Sequence, residues 1–246
     1  MRQSARRIGR QSRSLRSSRV ALHSGSTDRH ECINQWRSRF FRSTTIRSVD
    51  ILEAADGVHT ELDDNYGSQG WLRINHLNAP FDNVKARHAV QLLVDQELYL
   101  QAIVGTSDLY RTCGAMFLCD TPFETFVGSD RVMTQDIDKA KALLKEAGYN
   151  GEKIVLMHPT DIQTLSAATQ VTASLLRKAG IKLEVQALDW STLTSRRAEK
   201  KSIADGGWNI FHTSWIAPDL LNPVSYTHLR AHETRHDLVC RLQLEK

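Results

Sequence analysis

The middle of this sequence predicts an α/β fold, a mixed sheet flanked by helices, on three observations. Stretches with apolar residues at helical spacing end in glycine. Short apolar or alternating runs follow them. The two kinds of segment take turns along the chain, which calls for layers, with parallel pairing wherever a helix carries the chain from one strand to the next.

The first element is the strand in "GWLRINH". A turn at Pro80 leads into two helical pieces that meet near Asp95, the first with Asp82 as its expected cap ahead of Val84, Ala89, Leu92 and Leu93. "DIDKAKALLKEAG", 136–148, sets Ile137, Ala140, Leu144 and Ala147 on one stripe, with Gly148 as a left-handed stop. "EKIVLMHP", 152–159, reads as a short strand. "DIQTLSAATQVTASLLRKAG" aligns Ile162, Leu165, Ala168, Val171, Leu175 and Ala179, opened by a Thr160/Gln163 capping box and closed by Gly180. "IKLEVQAL" alternates as a half-buried strand, "DWSTLTSRRAEKK" is a third helix, and "GGWNIFHTSW" is a strand behind it. No internal repeat is present.

Charge divides the chain into three. The net charge is +4, but residues 1–47 hold twelve Arg and no Lys against Asp28 and Glu31, a local +10. Residues 224–246 add +1, which leaves 48–223 at −7. Segment 1–47 shows no periodicity that would bury a face and is expected to be disordered or translated out of frame; the alternative is a nucleic-acid tether, since arginines neutralise phosphates. No apolar run reaches the roughly 20 residues of a membrane span, and the first residues lack the apolar core of a secretory signal, so nothing in the chain as written is expected to export or anchor it.

Four blocks within 48–223 carry a resemblance. Asn75 on the strand that leads in, and Pro80, Phe81, Asp82, Val84, Ala89, Asp95 and Gly105 within "LNAPFDNVKARHAVQLLVDQELYLQAIVG", stand as the family 5 extracellular solute-binding proteins place theirs. "DIDKAKALLKEAGYNG", "VTASLLRKAGIKLEVQALDWSTL" and "WNIFHTSWIAPDLLNP" follow in the same order. The segment 48–223 therefore resembles the C-terminal lobe of a dipeptide/oligopeptide-type receptor of an ABC importer. That resemblance implies an incomplete periplasmic-binding-protein-like lobe with disordered ends, a periplasmic or extracytoplasmic location, a peptide or other small solute as ligand and ABC permease subunits as partners. A monomer is implied as well, with no cofactor, no metal and no nucleic acid. The tail is different: "VSYTHLRAHET" and "DLVCRLQLEK" resemble translated sequencing-adapter DNA, so the natural chain is expected to stop near Pro223. A His-rich tail, from His228, His232 and His236, is the competing reading of 224–246.

A receptor needs a polar slot with fixed charges and aromatic walls. Asp219 matches the position where the resembled peptide receptors use a carboxylate for the ligand's ammonium group, and Trp215 would supply a stacking wall; the plainer alternatives are a turn cap and a core residue. Trp71, Arg73 and Asn75 fall on one face of the first strand by alternation. Arg73 would receive a ligand carboxylate or else form a surface ion pair. In the compartment that the resemblance implies, Cys113 and Cys119 can close a small disulfide ring; two buried thiols or half of a zinc site are the alternatives.

Enzyme chemistry finds no motif here: no G-x-S-x-G, P-loop, G-x-G-x-x-G or H-E-x-x-H is present. His158 and Asp161 could be drawn as a catalytic pair, but they sit at a strand-to-helix corner. The expected function is binding, not catalysis, with a cytoplasmic nucleic-acid-associated protein using the Arg-rich arm as the alternative.

Overall fold

The computed structural model describes residue 54, residues 67–115 and 117–220, and the backbone of 239–244. The expectations for 1–47, for the natural end near Pro223 and for the histidines of the tail lie outside these residues. In chain order the elements are β1 (Ser68–Ile74), α1 (Val84–Leu92), α2 (Gln96–Ile103), a 3-10 turn (Ser107–Leu109), α3 (Asp130–Met133), α4 (Ile137–Glu146), β2 (Ile154–Pro159), α5 (Gln163–Lys178), β3 (Leu183–Leu188), α6 (Trp190–Arg196), β4 (Ile210–Ile216), α7 (Ala217–Leu220) and β5 (Val239–Leu244).

The five strands form one mixed sheet in the order β3-β2-β4-β1-β5. β2 pairs parallel with β3 and with β4, as the helical crossovers between them require. β1 runs antiparallel to β4, with Gln69 opposite Trp215, Trp71 opposite Thr213 and Arg73 opposite Phe211. No described helix is long and apolar enough to cross a membrane.

Alternation gives the sheet two faces. On one, α5 packs across β2, β3 and β4 with α2 beside it. His212 of β4 points there, within reach of Thr172 on α5. On the other face Leu193 of α6 seals a core of Val155, Met157, Trp208 and Phe211. Beyond that core lies a second cluster of Trp71, Leu118, Ala217 and Leu220, with Phe117 and Trp215 packed against it. Asn209 joins the layers by accepting from the Val155 amide at 2.8 Å.

Helix ends follow local chemistry. Asp95, Asp136 and Asp189 each accept from a backbone N–H three residues on, which satisfies a donor the helix leaves over. Gly148, at φ 85°, ends α4 with the amide of Tyr149 reaching the Leu144 carbonyl. Two expected caps are corrected. Asn83, not Asp82, caps α1: its side chain accepts from Lys85 and donates to the Ala147 carbonyl, so one residue serves two helices. The start of α5 lacks the Thr160/Gln163 box; Ile162 is the cap residue and makes no side-chain bond. Thr160 donates instead to the Leu188 carbonyl, and Asp161 accepts from the Trp190 amide at the start of α6.

The tail also needs a correction. The ends are expected to be disordered, yet within the tail β5 pairs antiparallel with β1, from Ser68 opposite Leu244 to Leu72 opposite Val239. The physical reason is the edge that β1 would otherwise present. A row of unpaired N–H and C=O groups accepts an extended segment almost irrespective of its side chains.

Candidate ligand-binding site

The sheet positions three of the five expected site residues together. Trp71 and Arg73 sit two apart on β1 and so share a face, and Trp215 leaves β4 on that same face opposite Gln69. The Arg73 guanidinium carbon stands 5.7 Å from the centre of the Trp71 ring, and the Trp71 and Trp215 rings are 6.1 Å apart at a tilt of 44°. This is a cation–aromatic–aromatic stack. Its guanidinium is half-buried, where such contacts are worth about 1–2 kcal/mol. Trp71 itself is core, 2% exposed, with its indole N–H donated to Gln69 at 2.8 Å. Trp215 is half-buried, and its indole nitrogen finds no acceptor among the described residues. A donor in that state is satisfied by water or by a ligand.

Asp219 stands exposed in the short helix α7 that continues directly from β4. That helix is tied down by the Ala217 amide bonding the Gly67 carbonyl and by Ala217 and Leu220 entering the Trp71 cluster. Asn75 lies elsewhere. Its amide donates to the Trp208 carbonyl at 3.0 Å and accepts from Leu77, so the side chain fastens the end of β1 to the run into β4.

The packing against the stack was not read from the sequence. Phe117 and Leu118 belong to the short ring between Cys113 and Cys119, which are joined by a disulfide with Cα atoms 6.2 Å apart. Leu118 is fully buried against Trp71, and Phe117 stands 6.3 Å from Phe123. The pair Phe117-Leu118 between two cysteines was the available signal. Among the described residues no group of His, Cys, Asp or Glu is placed to hold a metal ion.

A separate cavity of about 210 Å³ lies on the other face, lined by His158, Thr169, Gln170, Ala173, Arg177 and Val185. Burial holds the His158 imidazole below its ordinary pKa, and its Nε2 is 2.7 Å from Ser166 Oγ. Asp161 is turned to α6, so the two do not form a catalytic pair. The cavity shares no residue with the stack.

Residues 39–236 match the model of the bacterial extracellular solute-binding proteins, family 5 Middle. The chain belongs to this family. Among curated relatives it is 37% identical over 185 residues to "Probable peptide ABC transporter periplasmic-binding protein y4tO" of Sinorhizobium fredii, which covers 71% of the chain and 33% of that protein. It is 30% identical over 151 residues to the glutathione-binding protein GsiB of Escherichia coli, over 61% of the chain and 28% of that protein. The chain thus spans about a third of the length of these curated family members. Among solved structures, the substrate-binding protein CtaP of Listeria monocytogenes superposes with a TM-score of 0.72 at 17% identity, over 85% of this chain and 41% of that one. The dipeptide-binding protein of Pseudoalteromonas sp. SM9913 in complex with Met-Leu does so at 0.64 and 20% identity, over 83% and 39%. These likenesses show the fold, that of a periplasmic binding protein's sheet and flanking helices. The nucleic-acid alternative finds no support in them.

Proposed function

We propose that this chain is the C-terminal ligand-holding lobe of an extracytoplasmic receptor that binds peptides or peptide-like solutes and delivers them to the permease of an ABC importer. The carrying observation is the Arg73–Trp71–Trp215 stack, set on one face of a family 5 sheet. Guanidinium and indole rings together suit a ligand with a carboxylate beside an apolar side chain. Asp219, exposed at the same end of β4 as Trp215, would pair with the ligand's ammonium group. The curated relatives named above are binding proteins for a peptide importer and for glutathione, a peptide-like solute. Binding proceeds by closure of two lobes on the ligand, and the receptor acts as a monomer. No catalytic step, cofactor or nucleic acid enters this reading. Within it, 48–223 is the receptor segment, while 1–47 and 224–246 are foreign to it.

One lobe offers part of the contacts and leaves the slot wet. A charge pair at about 4 Å is worth about 4 kcal/mol at an effective dielectric near 20 and about 1 kcal/mol in water. That difference is roughly a hundredfold in affinity. Calorimetry with a mixed pool of di- and tripeptides is expected to give no saturable heat with this chain. The same lobe completed to the length of its relatives should bind, and more weakly after Asp219→Ala. Tight binding by the present chain, unchanged in Asp219→Ala, would overturn the reading.

A further inference from the structure

We propose that the ring between Cys113 and Cys119 is a positioning element of the ligand wall, one that fixes where Trp71 and Trp215 stand. The significance of that wall rests on the receptor reading; the geometry stands without it. Among the described residues between the two cysteines there is neither helix nor strand, yet Leu118 is fully buried against Trp71, Ala217 and Leu220, and Phe117 packs on the same cluster. Several contacts of described residues hold it there.

The first is the disulfide itself, with Cys113 2% and Cys119 8% exposed. The second is Gln96, the first residue of α2 and nearly buried. It accepts from the Cys113 amide at 2.9 Å and donates back to the Cys113 carbonyl at 3.0 Å, which pins the near end of the ring to a rigid helix. The third is Arg111, which donates to the Cys119 carbonyl at 3.1 Å and forms an ion pair with Asp120. Asp120 itself holds a left-handed backbone at φ 58°, a conformation that non-glycine residues rarely adopt without support. Thr121 closes the turn by donating to the Leu118 carbonyl at 2.8 Å.

Loop-closure entropy grows with the logarithm of ring size, so a ring this short constrains the unfolded chain comparatively little. Its effect falls on its own residues. A loose loop would have to order Phe117 and Leu118 each time a ligand arrived, at a cost in affinity; a fastened one presents them ready-made. Gln96 and the two cysteines act through Leu118 and Phe117 and need not touch the ligand.

The test reads the tryptophans directly. The chain labelled with 5-fluorotryptophan gives one fluorine resonance for each of its 5 tryptophans, assigned by single Trp→Phe substitutions. In Cys113→Ala/Cys119→Ala the Trp71 and Trp215 resonances are expected to move by more than a linewidth, and Trp215 to gain a solvent isotope shift between water and deuterium oxide. Trp190 and Trp208, in the other cluster, should hold their positions. Gln96→Ala, which leaves the disulfide intact, should move the same two signals by a smaller amount. Unmoved Trp71 and Trp215 resonances would overturn the proposal. So would the collapse of all four together, which would make the ring a general staple of the fold. No ligand enters the measurement, so its outcome is independent of whether the slot takes peptides.

Discussion

His212 Nε2 lies 2.6 Å from Thr172 Oγ1, and the same Thr172 oxygen lies 2.6 Å from the Tyr99 hydroxyl. Three side chains from β4, α5 and α2 thereby form one buried polar chain, with the Tyr99 and His212 rings 5.8 Å apart. Burial pushes the His212 imidazole down to about 3 from 6.5, and its hydrogen bond to the Trp71 backbone opposes that shift only weakly. The ring is neutral in the folded protein.

A depressed folded-state pKa means that the unfolded chain takes up the proton first. Its contribution to stability is complete above about pH 6.5 and is lost as pH falls from there toward about 3, by up to about 1.4 kcal/mol per pH unit. Urea unfolding at pH 7 and pH 5 should therefore show the parent losing about 2 kcal/mol more than His212→Gln. The imidazole resonance of His212 should also stay flat above pH 5. Titration near 6.5 in the native protein would contradict the burial.

Cutting the chain at its middle should hurt more than cutting it at its end. Thr172→Val removes the hydroxyl that meets both His212 Nε2 and the Tyr99 hydroxyl, whereas Tyr99→Phe leaves the His212–Thr172 bond in place. Losses of about 2–3 and about 1 kcal/mol are expected, since each buried polar group left unpaired costs about 1–3 kcal/mol. Equal losses would mean that water replaces the missing hydroxyl.

Gly207 is required by space. A Cβ there would come within 2.3 Å of the Lys201 carbonyl oxygen and 2.6 Å of that of Ser202, both backbone atoms that cannot swing aside. Gly207→Ala is expected to cost about 2–3 kcal/mol in thermal or urea unfolding. A change under about 0.5 kcal/mol would show that the 201–207 turn shifts freely.

The disulfide has a mass signature. Trypsin cuts after Arg111 and Arg131, so both cysteines fall in a single peptide, 112–131. From protein made under oxidising conditions that peptide should lack two hydrogens and resist alkylation until reduced. Two freely alkylated thiols in the native preparation would contradict the bond.

Elements with a local cause were legible in the sequence, while those set by distant partners were not. The stripe of α4 and its Gly148 stop depend only on neighbours within a few residues, and both hold. Thr160 and Gln163 carry the right chemistry for a capping box, but the Leu188 carbonyl, nearly thirty residues on, claims the Thr160 hydroxyl. Strand alternation placed Trp71 and Arg73 on the face they occupy. It could not show that Trp71 would be sealed by Leu118, because that contact depends on where the 113–119 ring folds back. Asn75 was read as a site residue because alternation puts it on the face of Trp71 and Arg73; its commitment to the Trp208 carbonyl is a long-range event that spacing does not encode.

The sheet order carries a consequence for synthesis. Gly70 pairs with Ser214, 144 residues later, whereas β2 and β3 are neighbours joined by one helix. A ribosome delivers β1 long before β4, at about 5–20 residues per second. The parallel half can assemble early, while β1 waits for many seconds with Trp71 and Leu72 exposed and both edges open. Nascent chains are thus most vulnerable to aggregation in that interval, and a chaperone that shields residues 68–74 would raise the yield more than any added stability of the finished fold.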